Sequence, residues 1–198
     1  MHPNPVFRSE DRALFETLID QIGFGMIFLT TPDGPRVAHT PLLSTGDGAV
    51  QFHLSRGNAL TRYLDASTAL VTVNGPDGYV SPRWYDDRNT VPTWDYIALE
   101  MEGRVRRMEE EGLEALLHSL IERSEGRISG DPWRAQEASE GLWQSQLRGI
   151  IGFEMEILAW RPTLKMSQKR TARERETIAR GLEQSGSTAL AHLMRTLA

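Results

Sequence analysis

The sequence predicts an α+β protein, mainly β, in which a small closed or nearly closed β-barrel carries helical additions. Three observations indicate this fold class. About six segments show the alternation or the short apolar runs that are typical of strands. Most of these segments are separated by short turns, which favours antiparallel neighbours. Segments with apolar residues at helical spacing lie near both ends of the chain and twice between strands.

The first half of the chain is predicted to begin with a helix over residues 9–23, with Ser9 as its N-cap. Three strands then form an antiparallel meander, because Asp33-Gly34 and Asp47-Gly48 are dipeptides that favour tight hairpins. A short helix with Asn58 as its N-cap is expected to follow. The predicted strands of this meander span residues 24–30, 36–43 and 50–54.

Three further strands are predicted in the rest of the chain. A buried strand starts at residue 68 and ends in a turn at Asp77-Gly78. Strict alternation predicts long strands over 96–108 and 150–160, with an amphipathic helix over 109–126 between them. The C-terminal segment is expected to form two helices that are separated at Ser185-Gly186.

Composition excludes several classes of protein. The chain has 198 residues, is 25% charged and contains no cysteine, so disulfides and thiolate metal sites are excluded. The apolar runs are too short to span a bilayer and the N-terminus does not resemble a secretion signal, so a cytoplasmic protein is expected. One domain is predicted, with a barrel and inserted helices over about 1–163 and a basic helical tail over about 164–198.

Familiar catalytic and nucleotide-binding motifs are missing from the sequence. The pair Gly23 and Gly25 lacks the third glycine of a dinucleotide fingerprint and follows a predicted helix rather than a strand. There is no phosphate-binding P-loop and no Gly-x-Ser-x-Gly element. No two of the five histidines stand at metal-ligand spacing, so no metal site is expected.

The segment FHLSRGNALTRYL is a candidate anion site. Ser55, Arg56 and Gly57 form a polar turn between a strand and the short helix that Asn58 would cap. Free amides at a helix start, with a guanidinium and a hydroxyl nearby, suit a phosphate monoester. The alternative is that Ser55 and Asn58 only cap the helix while Arg56 is solvated.

Polar residues also interrupt the second predicted strand, where His39 and Thr40 precede Pro41. A proline within a strand indicates an edge or a bulge, which would leave backbone groups free for a flat heteroaromatic ligand. Alternatively, His39 is a half-buried histidine bonded to a neighbouring strand. Asn74 adds an amide beside the predicted turn, where ordinary turn chemistry also explains it.

An aromatic, proline-containing stretch spans residues 79–103. Its aromatic rings would either line a pocket for a planar ligand or form the apolar middle of a homodimer interface. Both interpretations apply if the pocket lies between subunits. The residues concerned are Trp84, Tyr85, Trp94 and Tyr96, with Pro82 and Pro92 beside them.

These motifs resemble the PaiB family, the FMN-binding negative transcriptional regulators. The resemblance lies in GPDGYVSPRWY, VPTWDY, VAHTPLL, FHLSRGNAL, LRGIIGFEMEI and LKMSQKR, in that order along nearly the whole chain. It implies a split β-barrel of the flavin-reductase and pyridoxamine-phosphate-oxidase kind, a homodimer, and FMN in grooves at the dimer interface. The cofactor-binding residues that it implies are Ala38, His39, Thr40, Pro41, His53, Ser55, Arg56, Gly57, Asn58, Asn74, Trp94, Lys165 and Gln168.

Two positions depart from the usual pattern of the family, because Asp95 and Glu100 stand where Asn and His are common. Carboxylates near a flavin would disfavour its phosphate and its anionic reduced ring through like-charge repulsion. From Lys165 onward, seven Lys and Arg stand against three Glu. A regulator would use this basic tail to contact DNA, through Lys169, Arg170, Arg173, Arg175 and Arg180, although glutamates interleave with them.

Two other functions fit the same barrel. One is a flavin-dependent oxidoreductase, for which His39, His53 and Tyr96 are the nearby groups suited to proton transfer. No residue set identifies its substrate or assigns a catalytic residue. The other is a binding module, without DNA contact, for a flavin-like or haem-like planar molecule.

Overall fold

The computed structural model describes residues 2–197 and contains six strands and six α-helices within that range. The strands are β1 (Phe24–Thr31), β2 (Gly34–Ser44), β3 (Ala49–Ser55), β4 (Thr68–Val80), β5 (Thr93–Arg107) and β6 (Ile150–Lys165). The helices are α1 (Arg12–Ile22), α2 (Thr61–Leu64), α3 (Glu110–Glu125), α4 (Glu140–Leu147), α5 (Ala172–Gln184) and α6 (Thr188–Leu197).

The six strands close into a barrel in the order β1-β2-β3-β6-β5-β4. β1 pairs antiparallel with β2 along its whole length, and it also pairs with β4, where Met26 lies opposite Thr72. The pairing of β1 with β4 closes the barrel, which removes the exposed sheet edges that an open meander would leave. The predicted fold class is therefore confirmed.

The two predicted hairpins are also confirmed. β1 and β2 are joined by two residues, and Gly34 has a φ of +98°, a left-handed value that favours glycine. At the second hairpin, Gly46 and Gly48 have φ values of +77° and +102°. Short loops of this kind fix the register of the strands that they join.

Two predicted helix caps differ in the structure. α1 begins at Arg12 rather than at residue 9, and the Ser9 hydroxyl accepts from the backbone N–H of Asp11 at 3.2 Å, before the helix. α2 begins at Thr61, and the Asn58 side chain accepts from the N–H of Leu60 at 2.9 Å. Asn58 therefore shapes the turn that leads into α2 and is not its N-cap residue.

The predicted turn at Asp77-Gly78 is wrong, because β4 continues through it to Val80. Gly78 is needed for packing, since a Cβ there would lie 2.8 Å from Leu182 Cδ2 on α5 and 2.9 Å from Ser187 Oγ. A dipeptide that favours turns is kept extended here by the close approach of the α5–α6 hairpin.

Pro41 lies neither at a free edge nor outside the sheet, because β2 has neighbours on both sides. Its position still interrupts the ladder, since the β2–β3 register begins only at Leu42. Proline has no N–H to donate. The carbonyl of His53 accepts instead from the hydroxyl of Thr40, at 2.6 Å.

The chain divides into two compact units, and each is described separately. The barrel unit comprises residues 13–73 and 101–160, and its core includes Ile27, Leu42, Phe52, Met101 and Phe153. The terminal unit contains the N-terminal segment through Arg12, residues 74–100 and everything from Arg161 onward. α5 and α6 belong to this second unit, as the predicted pair of C-terminal helices.

Candidate functional site

The turn after β3 is an exposed polar segment of the barrel unit. Ser55, Arg56 and Gly57 are all exposed, and Asn58 is half-buried. The guanidinium of Arg56 donates through Nε to the carbonyl of Arg148 at 2.9 Å and through Nη2 to that of Ile150 at 3.3 Å. These two bonds hold Arg56 in place and leave its Nη1 free to donate elsewhere.

Arg56 also lines a cavity of about 470 Å³ in the barrel unit. Arg107 at the end of β5 and Arg148 after α4 line the same cavity. The sequence analysis did not assign these two arginines to a site, although Arg148 lies in the motif LRGIIGFEMEI, because both are far from Arg56 along the chain.

The four predicted residues of β2 divide between two faces. Ala38 and Thr40 are buried inside the barrel, at 3% and 2% exposure. His39 is exposed on the outer face and Pro41 is half-buried. Only the backbone of Ala38 and Thr40, and not their side chains, can therefore reach a molecule outside the barrel.

The outer face of β1, β2 and β4 is largely apolar. Register places Phe24 opposite Pro41, Met26 opposite His39 and Phe28 opposite Val37. Several of these side chains are exposed although they are large and apolar: Phe24 by 50%, Phe28 by 36% and Val37 by 44%. We call this surface the β1–β2 face.

Four buried polar atoms of the barrel unit have no hydrogen-bond partner among the described residues: His53 Nδ1, Thr72 Oγ1, and Nε and Nη1 of Arg123. Burial lowers the pKa of His53, so the neutral imidazole is favoured at neutral pH. Thr72 stands opposite Met26 beside the β1–β2 face. Unsatisfied buried groups of this kind are uncommon and are typical of sites that take a ligand or water.

In the terminal unit, Asn74 and Trp94 are exposed. Asn74 lies within β4 and not beside a turn, in contrast to the prediction. Trp94 is 55% exposed and makes an edge-to-face contact with Tyr79, with ring centroids 6.3 Å apart. Tyr85, by contrast, is buried, and a role of the aromatic stretch as a pocket wall or an interface stays a prediction.

Lys165 and Asp95 form a charged cluster in the terminal unit. Lys165 Nζ donates to Thr93 Oγ1 at 2.5 Å and to the carbonyl of Trp94, and it lies 3.8 Å from Asp95 Oδ1. Asp95 is 1% exposed and accepts through Oδ2 from the hydroxyl of Ser167 at 2.6 Å. Burial raises the pKa of Asp95, although Ser167 and Lys165 oppose the shift.

This environment alters the expectation about Asp95. The carboxylate is enclosed in its own unit, beside a lysine and a hydroxyl donor, so its repulsion of a bound anion is reduced by the nearby positive charge. The Gln168 side chain is also used locally, since it accepts from the N–H of Met166 at 2.9 Å and donates to the carbonyl of Leu164. Contact of Lys165 or Gln168 with a cofactor stays a prediction.

Most of the basic side chains that were predicted for DNA contact have acceptors in the terminal unit. Arg170 lies 3.7 Å from Glu174 and 3.9 Å from the centre of the Tyr85 ring. Arg175 donates to the carbonyl of Arg170 at 2.9 Å. Arg173 lies 3.9 Å from Asp86, and Arg180 lies 3.8 Å from Glu176. Lys169 is exposed.

No group of three or more His, Asp or Glu side chains in residues 2–197 is arranged to hold a metal ion. None of the helices in the described part of the chain is long and apolar enough to cross a membrane.

The fold is shared with solved flavoproteins. The FAD and haem binding protein from Mycobacterium smegmatis matches 84% of this chain and 77% of its own, with a TM-score of 0.64 and 20% identity. The flavocytochrome Anf3 from Azotobacter vinelandii matches 83% of this chain and 72% of its own, with a TM-score of 0.59 and 17% identity. These likenesses define the class as a split β-barrel with helical additions.

The family follows from the sequence matches. Residues 1–159 match the family described as "Putative FMN-binding domain", and the chain belongs to that family. Protease synthase and sporulation protein PAI 2 from Bacillus subtilis is 31% identical over 156 residues, which cover 77% of this chain and 74% of that protein. The predicted membership of the PaiB family is thereby confirmed, and FMN is the cofactor that this family assignment gives.

The barrel unit fits FMN. Ser55, the fixed guanidinium of Arg56 and the exposed backbone at Gly57 supply donors for a phosphate monoester. The outer strand face around His39 is apolar with polar atoms at its margin, as a flavin ring requires. When bound, FMN supplies electron and hydride transfer, and the protein supplies position and electrostatics.

Proposed function

We propose that this chain acts as a homodimer that binds FMN and serves as a negative regulator of the PaiB type. The observation that carries the proposal is the exposed turn after β3. There the guanidinium of Arg56 donates to two backbone carbonyls and still has N–H groups that can donate to a phosphate. In this proposal the turn binds the phosphate through Ser55, Arg56 and Asn58, and His39 and His53 lie beside the ring.

The experiment for FMN binding compares Arg56→Ala with wild type by quenching of flavin fluorescence. Loss of a charge-assisted hydrogen bond is expected to weaken FMN binding by about 1.5–3 kcal/mol and to leave riboflavin binding unchanged. Arg62→Ala, which removes an exposed arginine of α2, is the matched control. Equal FMN affinity in wild type and Arg56→Ala would contradict the phosphate assignment.

The β1–β2 face supports the homodimer. Phe24 and Phe28 of β1 and Val37 of β2 are costly to leave in water, and a twofold contact would bury them. Phe24→Glu and Val37→Glu place a charge on this face without changing the core. In sedimentation velocity we expect these variants to be monomeric and wild type to be dimeric.

Leu158→Glu is the control for the dimer, because Leu158 is 61% exposed on β6 and lies outside the β1–β2 face. This variant is expected to stay dimeric. Monomeric wild type at micromolar concentration, or dimeric Phe24→Glu, would refute the proposed interface.

The regulatory output is the second part of the proposal. The charges on α5 do not favour direct DNA binding, because its arginines lie beside glutamates or other acceptors. A reader of base edges needs a basic helix face that is free of such partners. The test is a gel shift with the chain's own upstream DNA: a shift that weakens with salt would support regulation through direct DNA contact, and no shift at low salt would count against it.

Two further parts of this proposal concern organisation and location. We propose that the chain divides into a barrel over about 1–163 and a basic tail over about 164–198, and that the protein is cytoplasmic.

No arrangement of His39, His53 and Tyr96 specifically favours the oxidoreductase alternative. Its test is anaerobic mixing of the flavin-loaded protein with NADH or NADPH, with bleaching of the flavin absorbance as the positive result.

A further inference from the structure

We infer that Arg107 and Arg148 bind the FMN phosphate together with Arg56, and that these two arginines make the chain prefer FMN to riboflavin. The inference rests on the proposed phosphate position at the turn after β3. It adds two residues from other parts of the barrel unit, neither of which the PaiB resemblance had implied.

The three arginines converge because of strand pairing and turn contacts. The N–H of Arg56 donates to the carbonyl of Gly149 at 2.8 Å, and β3 pairs with the start of β6 through Ser55 and Ile150. These contacts bring Arg148 beside Arg56. Arg107 ends β5, and all three line the cavity of about 470 Å³.

Within residues 2–197, no carboxylate forms an ion pair with Arg56, Arg107 or Arg148. Arg56 donates only to backbone carbonyls, and the contact that involves Arg107 is made by its backbone N–H, 2.9 Å from Asp65 Oδ1. The neighbouring residue Arg106 does form an ion pair, with Glu154 at 2.7 Å. Three arginines around one cavity repel each other, and a dianionic phosphate between them would reduce that repulsion.

The carboxylates around the cavity have other roles. Asp65 accepts from the backbone of Arg107, as described above. Glu109 is the N-cap position of α3 and Glu110 lies in its first turn, where the helix dipole stabilises negative charge. Because Glu110 lines the cavity, it would repel a phosphate, and its neutralisation should strengthen FMN binding.

The test uses the full chain and the flavins themselves. Arg107→Gln, Arg148→Gln and Glu110→Gln are titrated with FMN and with riboflavin, and binding is read from quenching of flavin fluorescence at low and moderate salt. Arg104→Gln is the matched control, because Arg104 is an exposed residue of β5 that lines a different cavity. Circular dichroism melts of each variant report whether the fold is retained.

We expect each arginine variant to weaken FMN binding by about tenfold or more, the effect of one lost charge-assisted hydrogen bond. Riboflavin binding should change by less than about twofold, since it carries no phosphate. Glu110→Gln should tighten FMN binding, and Arg104→Gln should change neither flavin.

Two results would overturn the inference while the proposed function stands. One is wild-type FMN affinity in both Arg107→Gln and Arg148→Gln. The other is an equal loss of FMN and riboflavin binding in these folded variants, which would show a structural role. Failure of the wild-type chain to quench FMN at all would refute the proposed function as well.

Discussion

Gly103 of β5 offers a sharp test of the barrel packing. A Cβ at this position would overlap the carbonyl oxygen of Glu156 on β6, and it would lie 2.7 Å from Met155 Cγ and 2.9 Å from the carbonyl carbon of Glu156. Ordinary contacts begin near 3.4 Å, so the facing carbonyl would have to move by about 1 Å or more.

Gly103→Ala should therefore lower the free energy of unfolding by about 1–3 kcal/mol, the usual cost of overpacking a close-packed core. The obstacle is backbone rather than the end of a flexible side chain, so relaxation requires a strand to shift. The assay is urea denaturation of the flavin-free protein, with all variants at one concentration because the stability of the proposed dimer would depend on concentration.

Gly141→Ala is the control, since Gly141 lies in α4 and a Cβ there would meet nothing within 4 Å. Alanine is the better helix former, so this variant should keep or slightly raise the stability. A loss of less than about 0.5 kcal/mol in Gly103→Ala would refute the reasoning, because it would mean that β5 and β6 are not in such close contact.

Three further predictions concern single contacts. Burial raises the pKa of Asp95 above its ordinary value of 3.8, so wild type should lose stability as pH rises from 3.8 through the folded pKa. Asp95→Asn should not show this loss, so its melting temperature relative to wild type should rise over that pH interval. A difference that does not change with pH would contradict this. Thr40→Val removes the donor to the half-buried carbonyl of His53 and should cost about 1–3 kcal/mol in urea denaturation; an unchanged midpoint would contradict it. Gly181→Ala would place a Cβ 2.5 Å from Trp84 Cδ2 and should cost about 1–3 kcal/mol, and a stability equal to wild type would show that α5 does not pack on this ring.

Patterns within a few residues predicted most of the strands and helices. The alternation of β5 and the two Asp-Gly hairpins gave elements that the structure confirms, because side-chain periodicity and turn conformation are local properties. Asp77-Gly78 shows the limit of this reasoning. The same dipeptide is extended there because α5 and α6 pack against it, and a local pattern does not reveal a distant neighbour.

The candidate site was predictable to a similar degree. The turn at Ser55–Asn58 was found from its residue types, and its donors are exposed as expected. The faces of β2 were not separated by the prediction, which named Ala38 and Thr40 although both point into the barrel. In a strand, neighbouring side chains point to opposite faces, and this follows from the sequence. Which of the two faces lies inside the barrel depends on how the barrel closes.

By itself, the sequence determined the fold class, the family and FMN as the cofactor, because these depend on periodicity and on short motifs in a fixed order. Only the tertiary structure decided that Arg56, Arg107 and Arg148 share one cavity and that Asp95 is enclosed beside Lys165. The reason is physical: residues far apart along the chain meet only through strand register and close packing, which the whole barrel sets together.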